Sequence, residues 1–193
     1  MVDCQAIKLV SVCILLNSAY TYIRMMKDGH LSRIRSVVDY QFGQGIGRVL
    51  FPEGVEIRLS SRTQRIRWVF HENRLLATLR ATDGLFSLTL AGAQQLSQVR
   101  PMRNWVKVQD EVAQFIASGR SLFAKHVVAC DSEIRPGEEV LIVDSLQKVL
   151  AVGKAVLTGE EMEKFSRGVA AKIRHGTLEI KTVKSEDSKS DGG

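Results

Sequence analysis

Four short segments in the first half of the chain alternate apolar and polar residues with a period of two. They are residues 55–59, 66–70, 75–81 and 86–90. This period is typical of strands that bury one face of a sheet, which for the second segment places Ile66, Trp68 and Phe70 on the core face. The connections between the segments are only a few residues long, whereas parallel strands need a crossover of a dozen or more. The sequence therefore predicts a four-stranded antiparallel meander.

Two helical patterns flank this meander. Apolar residues at helical spacing precede it, namely Leu31, Ile34, Val37 and Val38. Gly43 then stands where a helix-terminating glycine is expected. After the last strand, residues 91–99 favour a second helix, which is broken at Pro101 because proline disfavours helix in the residue before it. We therefore expect an antiparallel α+β domain over residues 25–101.

The second half of the chain opens with shorter elements. Val106 and Val108 suit a short strand, after which Asp110 can cap a helix that ends at Gly119. The face of this helix expected to be buried carries Val112, Phe115 and Ile116. Residues 121–130 then predict one continuous strand.

Turn and capping signals organise the rest of this half. Pro136-Gly137 has the residues of a type II turn, since proline presets φ at the first central position and glycine accepts a positive φ at the next. Thr158 and Glu161 have the spacing of a capping box for a short helix. The expected strands are residues 140–144, 149–157 and 169–174. Many short strands with two small helices favour a barrel-like sheet over residues 102–176, so the whole chain is expected to be α+β.

The two ends of the chain fit neither domain. Residues 9–16 (LVSVCILL) loosely resemble a secretory signal, but the region before them is nearly uncharged and the run is too short to span a bilayer. For residues 1–24 we prefer translation that begins at Met25 or Met26, and an additional helix or strand is the third alternative. The tail, residues 177–193, ends in the polar run KSEDSKSDGG and is expected to be largely disordered.

Positive charge is unevenly distributed along the chain. Residues 1–100 carry 13 Lys+Arg and 7 Asp+Glu, a difference of +6, whereas residues 101–193 carry 14 of each, a difference of zero. Arginine suits phosphate oxygens because its planar fork can donate two parallel hydrogen bonds. The arginines that cluster in the first half are Arg58, Arg62, Arg65, Arg67, Arg74 and Arg80. They indicate either a polyanionic partner or the solvated face of a sheet.

Cysteines and histidines do not form a metal-binding pattern. Cys4, Cys13 and Cys130 fit neither a disulfide framework nor a metal knuckle, and the 4 histidines are scattered along the chain. We therefore expect a reducing, cytoplasmic setting, with no metal, no cofactor and no membrane partner.

Longer segments of both halves resemble one family. Those of the second half are residues 119–129 (GRSLFAKHVVA), 133–143 (EIRPGEEVLIV) and 150–174 (LAVGKAVLTGEEMEKFSRGVAAKIR). In order and spacing they are similar to the PUA domain at the C-terminus of archaeal tRNA-guanine transglycosylase, an enzyme of the archaeosine pathway. Those of the first half are residues 39–45 (DYQFGQG), 61–66 (SRTQRI) and 75–92 (LLATLRATDGLFSLTLAG). These resemble the domain that precedes PUA in the same enzyme and in archaeosine synthase.

This resemblance implies tRNA binding without catalysis. The transglycosylase carries its catalytic aspartates and zinc site on a (β/α)8 barrel of roughly 250 residues, which a chain of 193 residues cannot hold. One expectation is a subunit of a split transglycosylase whose catalytic chain is separately encoded. The other is a free-standing accessory protein that acts with archaeosine synthase or with another RNA-modification or ribosome-related factor. In this enzyme class the PUA domain docks on the acceptor stem and CCA end of tRNA.

Two groups of candidate RNA-binding residues follow. The resemblance carries over Arg120, Ser121, Phe123, Lys125, Arg167, Lys172 and Arg174. The clustered charge adds Arg62, Arg65 and Arg67. These three arginines flank a hairpin tip, where they could grip phosphates or form surface ion pairs with Glu56 or Glu72. Phe123 could stack on an unpaired base or lie in the core, because alternation alone does not say which face of its strand is buried.

Overall fold

A computed structural model of the chain describes residues 29–178. These residues form two compact units, which divide between Arg103 and Asn104. The expectations for residues 1–24 and for most of the tail lie outside the described residues. At the start of the tail, Thr177 and Leu178 donate backbone hydrogen bonds to Leu150 and Ala117, respectively.

Helix α1 opens the described part of the first unit and covers residues 29–42. Its buried apolar residues, each one turn from the next, are Ile34, Val38 and Phe42. Gly43 follows the helix with a φ of 111° and confirms the predicted end. Gln41 attaches the helix to the sheet, because its amide donates to the carbonyl of Phe86 (2.8 Å) and accepts from the Phe86 N–H (2.9 Å).

The predicted meander is confirmed. Its strands are β1 (Glu56–Leu59), β2 (Ile66–His71), β3 (Arg74–Leu79) and β4 (Phe86–Leu88), in the order β1-β2-β3-β4. Two short helices complete the unit, α2 (Ile46–Leu50) and α3 (Leu90–Leu96). Helix α3 confirms the second predicted helix, and the Thr89 hydroxyl caps it by accepting from the Gly92 N–H at 3.3 Å.

The core face predicted for β2 is wrong beyond its first residue. The residues paired with Ile66 and Trp68 are consecutive in β1, so Arg67 is an extra residue that forms a β-bulge. The bulge reverses the alternation. Ile66 and Val69 are buried, whereas Trp68 is 37% exposed, and Phe70 follows Trp68 on the same outer face. A bulge changes the register without changing composition, so the sequence pattern did not reveal it.

The second unit is a six-stranded sheet with two short helices. Its strands are β5 (Trp105–Val108), β6 (Leu122–Phe123), β7 (Val127–Cys130), β8 (Glu139–Val143), β9 (Val149–Ala155) and β10 (Val169–Gly176). Its helices are α4 (Ala113–Ala117) and α5 (Gly159–Lys164). The strand order is β6-β10-β9-β8-β5-β7, and every pair is antiparallel except β5 with β8.

The connection from β6 to β7 requires this sheet to curl. The two strands lie at opposite ends of the sheet, yet only the 3-10 turn Ala124–His126 joins them. In a flat sheet, six strands spaced by about 4.8 Å would place its edges roughly 24 Å apart. The four steps along the chain from Phe123 to Val127 span at most about 14 Å. The sheet therefore closes into a near-barrel, which confirms the predicted α+β class with a barrel-like second half.

Local turn signals in this unit are confirmed. Gly137 has a φ of 94°, and the N–H of Glu138 donates to the carbonyl of Arg135 at 3.2 Å, as a type II turn requires. The capping box is also present. The Thr158 hydroxyl accepts from the Glu161 N–H (3.2 Å), and the Glu161 carboxylate accepts from the Thr158 N–H (2.9 Å).

Three predictions for this unit are wrong. Residues 121–130 are not one strand, because the 3-10 turn separates β6, which pairs with β10, from β7, which pairs with β5. Asp110 does not cap a helix, since its carboxylate accepts from the Ser145 N–H at 3.2 Å. Phe115 is 53% exposed while Ile116 is buried, because the short helix α4 turns only one side to the core.

Candidate nucleic-acid interface

Strand β6 lies at one end of the second sheet and pairs only with β10. Phe123 in β6 lies opposite Val169 in β10. The N–H of Ala124 donates to the carbonyl of Gly168 at 3.0 Å, so the turn after β6 lies beside the loop that enters β10. These adjoining segments carry Arg120, Ser121, Phe123, Lys125, Arg167 and Lys172. We call these six residues the β6–β10 edge.

Burial decides which way Phe123 points. Leu122 is fully buried in the near-barrel, whereas Phe123 is 47% exposed. The other members of the β6–β10 edge are exposed as well. The edge therefore presents an aromatic ring beside several cationic side chains, a combination that suits a base together with its phosphates.

Two further exposed phenylalanines flank the edge, and sequence reasoning missed both. Phe115 was assigned to the core by helical spacing, but the guanidinium of Arg120 lies over its ring at 5.5 Å. Phe165 ends α5 two residues before Arg167 and is 47% exposed. One signal in the sequence could have identified them, because each phenylalanine lies close in sequence to a predicted cationic residue. Large apolar side chains that remain exposed are candidates for binding.

Arg174 differs from the exposed cations of the edge because it is paired with an acidic residue. Its Nη1 lies 2.5 Å from a carboxylate oxygen of Glu139, a fully buried residue in β8, while 31% of the Arg174 side chain remains accessible. This ion pair supports the fold, because removing Arg174 would take this counterion from the buried Glu139 carboxylate. The structure thus gives Arg174 a structural contact that the sequence did not predict. The role of Arg174 in RNA binding stays a prediction.

Two carboxylates of the second unit, those of Asp131 and Glu163, accept hydrogen bonds from backbone N–H groups. Asp131 accepts from the N–H groups of Asn104 (2.9 Å) and Glu133 (3.0 Å). Glu163 accepts from the N–H of Cys130 at 3.1 Å. With Glu161 in the capping box, these acidic side chains have local roles that hold them to the fold.

A second cationic feature lies within the first unit. A groove of about 840 Å³ lies among the start of α1, the β1–β2 connection and the β3–β4 connection. The arginines that line it are Arg33, Arg62, Arg65, Arg67 and Arg80, and His30 also lines it. We call it the arginine groove. It brings together the three arginines predicted to bind RNA with Arg80, a member of the same predicted cluster, and it adds Arg33, which is distant in sequence.

The β1–β2 connection has a defined shape. The Ser60 N–H donates to the Arg65 carbonyl and the Gln64 N–H donates to the Ser60 carbonyl, both at 2.8 Å. Gln64 adopts a φ of 53°, which closes the loop. Arg67, the bulge residue, donates weakly to the Leu79 carbonyl at 3.4 Å. The groove is therefore built on hydrogen-bonded loops.

Glu56 was an expected ion-pair partner for the arginines near the hairpin tip, but it pairs with a different arginine. Glu56 pairs with Arg58 at 2.7 Å, a contact that raises the pKa of the Arg58 guanidinium through its hydrogen bond to the carboxylate. Within residues 29–178, none of Arg62, Arg65 and Arg67 forms an ion pair. Their role in RNA binding stays a prediction.

Metal and thiol chemistry find little support in the described part of the chain. No group of three or more potential metal ligands occurs within residues 29–178. Burial, with smaller contributions from Glu163 and Asp131, raises the pKa of the Cys130 thiol to about 12, which suppresses the reactive thiolate. None of the helices in residues 29–178 is long and apolar enough to cross a membrane.

Both units match known domain families. Residues 32–102 match the patch-forming domain C2 of tRNA-guanine transglycosylase, and residues 104–177 match the PUA domain. The chain therefore carries a C2 domain followed by a PUA domain, as the resemblance in the sequence predicted.

Similar longer proteins are archaeal tRNA-guanine(15) transglycosylases. The chain is 43% identical to the enzyme of Methanothermobacter thermautotrophicus over 147 residues, which are 76% of this chain and 22% of that enzyme. It is 42% identical to the enzyme of Pyrococcus furiosus over 158 residues, which are 80% of this chain and 26% of that enzyme. The chain thus spans about a quarter of the length of these relatives.

Solved structures share the fold over much of the chain. A hypothetical protein of Pyrococcus horikoshii superposes with a TM-score of 0.64 at 22% identity, over 77% of this chain and 90% of that chain. A PUA domain protein of Aeropyrum pernix superposes with a TM-score of 0.58 at 18% identity, over 77% of this chain and 82% of that chain. At these identities the superpositions show the fold alone.

Proposed function

We propose that this C2–PUA chain binds tRNA and assists archaeosine modification in the cytoplasm without catalysing it. The observation that carries the proposal is the β6–β10 edge, where Phe123 and four cationic side chains are exposed on adjoining segments of the PUA domain. The similarity to tRNA-guanine(15) transglycosylases supports tRNA as the RNA. The acceptor stem and CCA end are the part of tRNA that we assign to this edge.

The chemistry of the edge fits an RNA end. Lysine and arginine side chains neutralise phosphates and release condensed counterions, which makes binding stronger at low salt. An exposed ring can stack on an unpaired terminal base, such as those of a CCA end. Recognition would depend on the shape of the stem more than on its sequence, because the edge offers few groups for reading base edges.

The test is a titration of the full chain with a tRNA transcript at several salt concentrations. Wild-type protein should bind, and the logarithm of its affinity should fall linearly with the logarithm of the salt concentration. Lys125→Ala and Arg120→Ala should each weaken binding by about tenfold, the value of a charge-assisted hydrogen bond. No binding at low salt would contradict the proposal.

Lys148 offers a matched control. It is an exposed lysine in the β8–β9 turn, outside the β6–β10 edge. Lys148→Ala removes the same charge as Lys125→Ala, so it should change tRNA affinity by less than about twofold if location matters. A transcript that lacks its CCA end should lose affinity for the wild type. Equal affinity for both transcripts would contradict the assignment to the acceptor end.

The non-catalytic part of the proposal concerns a partner. The relatives are about four times longer than the matched region, so we propose that a separately encoded transglycosylase chain supplies catalysis. Co-purification of this chain with a tRNA-guanine transglycosylase from the same cells, resistant to ribonuclease, would support a subunit. Co-purification that disappears with ribonuclease would favour a free-standing accessory protein, and base exchange by the isolated chain would contradict the proposal.

A further inference from the structure

The arginine groove differs in composition from the β6–β10 edge. Its arginines and His30 are accompanied by polar and small apolar residues: Ser60, Thr63, Gln64, Ile66, Leu79, Ala81 and Gly84. Among the described lining residues there is no Phe, Tyr or Trp and no acidic side chain, and His30 supplies the one aromatic ring. A ligand in this groove would therefore be held mainly by charge and hydrogen bonds.

Among residues 29–178, most of the groove cations have no counterion. Arg33, Arg62 and Arg65 form no ion pair in this range. Arg80 is already paired, because its Nε donates to one carboxylate oxygen of Asp83 at 3.0 Å and its Nη2 lies 2.9 Å from the other. Like charges held together repel one another and destabilise the fold. An anionic ligand would relieve that repulsion and satisfy the open donors.

The size and shape of the groove limit the ligand. Its volume of about 840 Å³ falls within the range of roughly 300–1,000 Å³ typical of sites that hold a small molecule. A double helix presents a convex surface to a protein, whereas a single strand can follow a groove lined by cations. The shape therefore favours a short, flexible polyanion over a duplex.

We propose that the arginine groove binds the phosphodiester backbone of a single-stranded RNA segment. The inference rests on the proposed function, because RNA binding by the PUA domain is what would bring such a segment to this chain. Phosphates would be held by the arginine forks, including Arg33 on α1 and Arg65 on the β1–β2 connection, which both line the groove. The bases would point outward, so this site reads no sequence.

A free phosphate compound shares the chemistry of this ligand. A mononucleotide or pyrophosphate would also pair with the arginines, so the experiment must separate the two sources. A backbone segment is favoured because the groove is open and lacks any group that would recognise a base or a sugar specifically. The groove should therefore bind small phosphates only weakly.

The test measures binding of a short fluorescent oligouridylate to the full chain by anisotropy. Arg33→Ala/Arg65→Ala should weaken binding at least about tenfold and should lower the salt slope by about 1.4, at about 0.7 for each lost phosphate contact on a single strand. Arg48→Ala/Arg74→Ala removes two exposed arginines of the same unit that do not line the groove. This control should stay within about twofold of the wild type.

Competition separates the two phosphate sources. AMP and pyrophosphate should displace the oligouridylate only at millimolar concentrations. Displacement at micromolar concentrations would overturn the RNA assignment in favour of a small-anion site.

Arg33→Glu serves as a second variant for the binding test, since Arg33 is exposed and circular dichroism can verify that the fold is unchanged.

The outcomes for the groove and for the proposed function are distinguishable. A groove variant that binds oligouridylate as the control does would overturn this inference. If Lys125→Ala/Arg167→Ala weakens tRNA binding at the same time, the proposed function stands without the groove. If the wild type binds oligouridylate through the groove but does not bind tRNA, the proposed function fails and the groove assignment survives.

Discussion

Two sites, one in each unit, use arginine in different ways. In the first unit, Arg33 and Arg65 line a groove without carboxylate partners among the described residues. In the second unit, Arg174 is paired with the buried Glu139 at 2.5 Å. The same residue type is thus available to a ligand in one place and committed to the fold in the other. The comparison teaches that burial and pairing, more than composition, decide which cations can bind RNA.

The largest expected effect is a loss of stability on substitution of Arg174. It tests whether this arginine serves the fold, as the comparison claims. Arg174→Ala should lower the free energy of unfolding by about 3 kcal/mol, because it leaves the Glu139 carboxylate buried without its counterion. Urea denaturation followed by circular dichroism measures this change. Arg65→Ala, in the groove, should change stability by less than about 0.5 kcal/mol. A stable Arg174→Ala variant with weakened tRNA binding would mean that Arg174 contacts RNA after all.

A paired replacement sharpens the first prediction. Glu139→Leu combined with Arg174→Met removes both charges and retains apolar volume, so it should recover most of the stability lost in Arg174→Ala. Failure to recover would indicate that other contacts of Glu139 matter more than the ion pair.

The second prediction distinguishes the β6–β10 edge from the arginine groove. Phe123→Ala should weaken tRNA binding by about 1–3 kcal/mol, the value of one stacked base. Its salt slope should equal that of the wild type, because no cation is removed. Filter binding at several salt concentrations measures both quantities. Leu146→Ala is the control, since Leu146 is 86% exposed but lies in the β8–β9 turn. A lowered salt slope for Phe123→Ala would argue against stacking.

The smallest effect tests whether the edge depends on its supporting helix. Thr158→Ala removes the hydroxyl of the capping box at the start of α5 and should cost about 1 kcal/mol of stability. Because Phe165 and Arg167 follow this helix, tRNA affinity should fall by about twofold to fivefold. Thr158→Ser keeps the hydroxyl and should behave as the wild type in both denaturation and binding assays.

Much of the architecture was predictable because it depends on local signals. The period of two and the short connections predicted strands β1 to β4, and Thr158 with Glu161 predicted the start of α5. Such signals involve residues close together in the chain, where backbone geometry and hydrogen bonding act directly. The interruption at Ala124–His126 was missed because residues 121–130 contain neither the glycine nor the proline that would mark a break in a strand.

The candidate site was predicted less completely. Phe123 could not be assigned to a face until β6 was paired with β10. Phe115 was placed in the core because helical spacing does not show how short α4 is. Arg33 was not joined to the predicted cluster, because only the folding of α1 brings it to the groove.

The sequence by itself determined the α+β class, the antiparallel meander β1 to β4, the turn at Pro136-Gly137 and the kinship with a C2–PUA pair. Only the tertiary structure decided which cations remain exposed, that Arg174 is committed to Glu139, and that five arginines share one groove. The reason is physical. Periodicity and turn chemistry act between neighbours in the chain, whereas ion pairing and exposure depend on residues that only folding brings together.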